Sequence, residues 1–81
     1  MSQEIYKIGA FWDSDAQVWT ATSEDVPGLA TEADSQEALL HKLKTIVPEL
    51  LQLNHLLPSD HTGAIKIELI SHRQELIQLT V

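Results

Sequence analysis

The sequence predicts an α+β fold in the order β-β-β-α-β, an antiparallel sheet with a kinked helix packed on one face. Three observations lead to it. Residues 5–23 are β-branched, aromatic and alternating, residues 34–57 carry one apolar stripe at helical spacing, and residues 65–69 alternate again. The 81 residues make one domain, 1–81. A chain this short buries only about 60 to 65% of the surface its unfolded form exposes, so self-association would help to stabilise it.

Residues 5–12 are the first strand, and Asp13-Ser14-Asp15-Ala16 is a turn-forming cluster. Residues 17–23 form the second arm of the hairpin. Successive strand side chains point to opposite sides, so Trp19 and Ala21 share one face while Val18, Thr20 and Thr22 share the other. Glu24-Asp25-Val26-Pro27-Gly28 follows as a tight reversal, because proline fixes φ and glycine accepts positive φ. Residues 29–33 return as a short third strand.

Asp34 with Glu37 three residues later reads as a variant of the capping box at a helix start. Leu39, Leu43, Ile46, Leu50, Leu53 and Leu57 then follow spacings of four and three along one stripe, flanked by Leu40, Val47 and Leu51. Pro48 removes a helical donor and crowds the carbonyl of Lys44. By the helical wheel it faces away from the stripe, which predicts a bend convex toward solvent or a split into two helices. Residues 58–63 (PSDHTG) form a loop by composition. Ile65, Ile67 and Leu69 mark the last strand, and Ile77, Leu79 and Val81 resume its phase. Residues 71–81 thus either continue one long strand or form a turn and a further strand, and a long strand reaching past its own sheet can pair with another subunit.

Five Lys and Arg against twelve Asp and Glu give a net charge of −7. That field repels phosphates, so neither direct nucleic-acid binding nor an anionic membrane is expected, whereas a basic partner would be attracted. With no cysteine, thiolate metal sites are excluded and a cytoplasmic setting is the simplest expectation. The start MSQEIYKIGAF is not a signal peptide, and no stretch approaches the ~20 apolar residues of a membrane span.

No constellation compels a reaction. Asp13 and Asp15 belong to a turn, Glu24 and Asp25 to a corner and Asp34 to a cap, which leaves no converging set of carboxylates for a metal. His41, His55, His61 and His72 lack zinc spacing and read as surface residues. Ser23, Ser35 and Ser71 sit at a strand end, a helix start and a turn, outside any nucleophile motif. Gly9, Gly28 and Gly63 are too scattered for a phosphate loop. Trp12 and Trp19 read as core packing, with interface anchors as the alternative. No enzyme activity, cofactor or metal is expected.

The segment WTATSEDVPGLATEADSQEAL resembles the HicB-like antitoxin family, in which an aromatic residue, a small-residue strand, an acid before a Pro-Gly corner and then Thr, a small residue and an acid lead into a helix. Trp19, Thr20-Ala21-Thr22, Asp25-Val26-Pro27-Gly28, Thr31, Ala33-Asp34-Ser35 and Glu37-Ala38-Leu39 carry the match. Trp12-Asp13, Val26 to Leu29, Thr31 to Asp34 and Pro48 to Leu51 are similar to an uncharacterised single-domain branch, a domain of unknown function. The resemblance implies a partial ribonuclease H-like fold without catalytic carboxylates. It also implies a module of a toxin-antitoxin system that masks a small RNA-cleaving toxin, necessarily basic, by protein-protein interaction. Glu24, Asp25 and Glu32 are the candidate contact charges. Relatives often add a C-terminal DNA-binding segment, and with the chain stopping at Val81 no operator binding is expected. The alternatives are a stand-alone homo-oligomer with another partner and a metal-dependent hydrolase.

Overall fold

The computed structural model describes residues 5–57 and 63–80. The element order matches the expectation: β1 (Ile5–Asp13), β2 (Val18–Thr22), β3 (Ala30–Ala33), α1 (Gln36–Leu53) and β4 (Lys66–His72). The strands form one sheet in the order β3-β2-β1-β4. It is mixed and not antiparallel, because β4 runs parallel to β1. The path explains this. β1, β2 and β3 form an antiparallel meander, so β3 points the same way as β1, and α1 then carries the chain back across one face to start β4 in that direction. Residues 58–62, within the expected loop, lie outside the described residues, as does Val81.

The first turn is tied by its own side chain. Asp13 Oδ1 accepts from the N–H groups of Asp15 (3.1 Å) and Ala16 (3.2 Å). Gln17, expected in the strand, has φ 60°, and β2 starts one residue later. At the second reversal Leu29 N–H donates to Val26 O at 3.2 Å and Gly28 has φ 85°, the Pro-Gly turn read from the sequence. Val26 and Leu29 are buried, so this corner closes one end of the core.

The helix begins one residue later than the capping-box reading. Ser35, not Asp34, is the N-cap: it is extended (φ −142°, ψ 160°), and its hydroxyl accepts from Ala38 N–H at 3.0 Å. α1 runs unbroken through Pro48 to Leu53 and does not reach Leu57. Its buried row is Leu39, Leu43, Val47 and Leu51, so two residues assigned to the flank are central. Ile46 and Leu50 are half-buried, and Leu53 is 74% exposed. An i, i+4 ridge is inclined to the helix axis, and a twisted sheet beneath favours that inclined row over the straight stripe. Pro48 is half-buried and borders a groove with Ile65 and Ile67, not open solvent. The core joins this row to Tyr6, Ile8, Ala10, Trp19 and Ala21 on the same side of the sheet.

The helix ends in a Schellman motif. Asn54 is the C-cap, His55 takes φ 59°, His55 N–H donates to Gln52 O (3.1 Å) and Leu56 N–H to Leu51 O (2.8 Å). Histidine bears a Cβ penalty in this left-handed conformation that glycine avoids. His55→Gly is therefore expected to stabilise the domain by about 0.5 to 1 kcal/mol, read as a rise in the urea midpoint without a change in slope.

After His72 the chain forms neither of the two expected structures. Residues 73–80 are neither a strand of this sheet nor a hairpin, but an exposed arm.

Candidate interaction surface

Strand phase divides the sheet into two faces. Tyr6, Ile8, Ala10 and Trp12 of β1 lie under α1, while Ile5, Lys7, Gly9 and Phe11 lie on the side without a helix. Register extends this face across the sheet. Phe11 is flanked by His72 on β4 and Thr20 on β2, and Thr20 by Glu32 on β3. Gly9 lies between Ile70 and Thr22 in the next row. The face therefore has an apolar centre of Phe11 and Ile70, 44 and 40% exposed, with the Lys7 and Glu68 row between it and Ile5 at the start of β1.

Phe11 stacks on His72, with ring centroids 4.8 Å apart and planes 10° from parallel. Its ring also covers Gly9, where a Cβ would come within 2.9 Å of Phe11 Cε2. Beside it is a shallow hollow of about 440 Å³ bounded by Lys7, Phe11, Ile70 and residues 22–25. Glycine permits that ring position, and so shapes the hollow.

The acidic corner has a structural task. β2 pairs with β1 only from Gly9 onward, so Lys7 has no β2 partner. Asp25 Oδ2 accepts from Lys7 N–H at 2.8 Å, and Ser23 Oγ donates to Lys7 O at 2.6 Å. The same hydroxyl accepts from the N–H groups of Asp25 (3.0 Å) and Val26 (3.2 Å). The corner's side chains thus continue the ladder where the strand stops.

Of the acids singled out in the sequence, Glu24 and Asp25 meet at the rim of the hollow. Glu32 lies on the same face but on the outer strand β3, and its backbone carbonyl accepts from Lys42 Nζ at 2.6 Å. Its carboxylate belongs to the far margin of the face. Phe11 and Ile70 are additions that the sequence reading did not name; the alternation of β1 and β4 places them opposite the core residues, which was the available signal.

All Asp and Glu side chains among the described residues are exposed. No group of three or more His, Asp and Glu is placed to hold a metal ion among the described residues. His41, His55 and His72 are exposed, and His61 lies outside the described residues. Trp19 is buried and Trp12 half-buried against the core, tilted to each other with centroids 5.4 Å apart. Among the described residues no helix is long and apolar enough to cross a membrane.

The fold and this face define a two-layer α+β domain, with one sheet surface under the helix and the other open among the described residues. The chain belongs to the family described as a domain of unknown function, DUF1902, whose pattern matches residues 5–79. It is similar to the hypothetical protein TTHA1013 of the extreme thermophile Thermus thermophilus. The two share 40% identity over 91% of this chain and 100% of that one, with a TM-score of 0.72. No curated protein matches the chain.

Proposed function

We propose that this domain is a non-enzymatic, cytoplasmic protein-binding module of the HicB-like, antitoxin-like kind, which covers a basic RNA-cleaving protein and also self-associates. The observation that carries this reading is the open sheet face, where an apolar centre of Phe11 and Ile70 is bordered by Glu24, Asp25 and Glu32. An apolar centre inside a polar rim is the usual anatomy of a protein interface. The net charge of −7 steers basic partners toward it and competes with the phosphates such partners bind.

The test is co-expression with a small basic protein encoded beside this one, followed by affinity measurement across a salt series. A complex is expected whose Kd rises at least about tenfold between about 0.05 and 0.5 M salt, because exposed charges are screened over that range. Glu24→Gln with Glu32→Gln should weaken it at low salt while leaving the fold intact. Asp25→Asn, which keeps an acceptor for Lys7 N–H, separates the charge of that residue from its structural bond. Absence of a complex, or one indifferent to salt and to both substitutions, would refute the reading.

A further inference from the structure

β4 is an outer strand, with β1 on one side and no neighbour on the other among the described residues. α1 reaches β4 at its own start, where the Ser71 hydroxyl donates to Gln36 Oε1, but leaves the rest of the helix side of β4 incompletely covered. Ile65, Ile67 and Leu69 are half-buried there. A groove of about 260 Å³ runs between Leu40, Val47 and Pro48 of α1 and Ile65 and Ile67 at β4. An exposed ladder edge beside an apolar groove is a site for one more strand.

The same chain carries a segment suited to it. In the arm of residues 73–80, Leu76, Ile77 and Leu79 are 84, 78 and 87% exposed. The arm makes the molecule long: its radius of gyration is 15.5 Å and its greatest extent 61 Å, where a compact chain of this length has a radius of about 12 Å. Its base is held in phase with β4. Tyr6 pairs with Ile67, Ile8 with Leu69 and Ala10 with Ser71. Two residues on, the Arg73 guanidinium lies 4.2 Å from the ring centroid of Trp12 and 2.6 Å from Glu75 Oε1. Ile77 and Leu79 therefore share the parity of Ile67 and Leu69.

Residues 70–79 (ISHRQELIQL) contain no Gly, Pro, Asn or Asp, the residues a tight hairpin requires, so the arm is not built to fold back on its own β4. A second copy removes the difficulty. With a two-fold axis near the end of β4, each arm runs antiparallel along the other copy's β4, and both edges close together.

We infer that residues 73–80 form an exchanged arm: they add as an outer strand to β4 of a second copy, with Ile77 and Leu79 seated in the groove between its α1 and β4. This rests on the self-association part of the proposed function and is independent of the basic partner.

The experiment uses the full chain. Sedimentation analysis is expected to give a dimer, and the double variant Ile77→Asp, Leu79→Asp is expected to halve the measured mass while keeping the helical circular dichroism signal, with a loss of strand signal no larger than the arm itself, since these side chains are exposed in the single copy. Because the protein has no cysteine, Glu68→Cys and Gln78→Cys chains can be mixed and joined with a short bismaleimide. The expected product is a covalent pair containing one of each. A wild-type monomer, a dimer that survives the two aspartates, or linkage confined to single chains of the double-cysteine variant would each overturn the proposal. The salt-dependent complex with a basic protein, measured on the aspartate variant, tests the partner reading separately.

Discussion

Leu43→Ala is expected to destabilise the domain by about 3 kcal/mol, while Leu53→Ala changes stability by less than about 0.5 kcal/mol. Both leucines lie on the apolar stripe of the sequence, and by hydropathy alone they are equivalent. In the fold Leu43 is fully buried and Leu53 is 74% exposed. Truncating Leu43 removes its transfer free energy and leaves a cavity under α1. Truncating Leu53 removes contact mainly with water. Urea unfolding followed by circular dichroism distinguishes the two: a large fall in midpoint for Leu43→Ala and almost none for Leu53→Ala. Equal falls would mean that α1 is seated on the straight stripe instead of the inclined row.

Trp19→Ala is expected to be at least as damaging, at about 3 to 5 kcal/mol. Trp19 is 6% exposed, packs against Trp12, and has the Arg73 guanidinium 5.9 Å from its ring centroid. A domain of this length has only about 4 to 12 kcal/mol in total, so the variant should be partly or wholly unfolded at room temperature. Trp12→Ala, at a half-buried ring, should cost clearly less. Thermal melts by circular dichroism test the order, and a larger loss at Trp12 would contradict the placement of the two rings.

Much of this architecture is legible in the sequence because it depends on local periodicity. Alternation locates β1, β2 and the start of β4 to within a residue or two, and the Val26-Pro27-Gly28 corner follows from proline and glycine backbone preferences. The remainder depends on what lies opposite each element. Asp34 and Ser35 are both competent caps in adjacent positions, and the choice depends on where the chain leaves β3. The helix row depends on sheet twist, which displaced Leu53 in favour of Val47 and Leu51. Pro48 faces solvent on a helical wheel because the wheel contains no β4.

The C-terminal alternation shows the same limit. Ile77, Leu79 and Val81 signal a capacity to pair, and a period of two does not say with which chain. At the candidate surface, Glu24 and Asp25 are legible as charges, whereas the bond from Lys7 to Asp25 joins residues eighteen apart and no local pattern encodes it. The family resemblance supplied the expectation of a single domain of unknown function. The open face became visible only when register aligned Ile70, Gly9 and Thr22 in one row.

The parallel pairing of β1 with β4 also sets a schedule. Ile5 meets Lys66, far along the chain, whereas the meander of β1, β2 and β3 joins near neighbours. Long-range pairings of this kind raise contact order and slow the conformational search. On the ribosome, β1 must wait with one side unsatisfied until β4 has been synthesised. During that interval the nascent chain is open to capture by whatever strand is nearby.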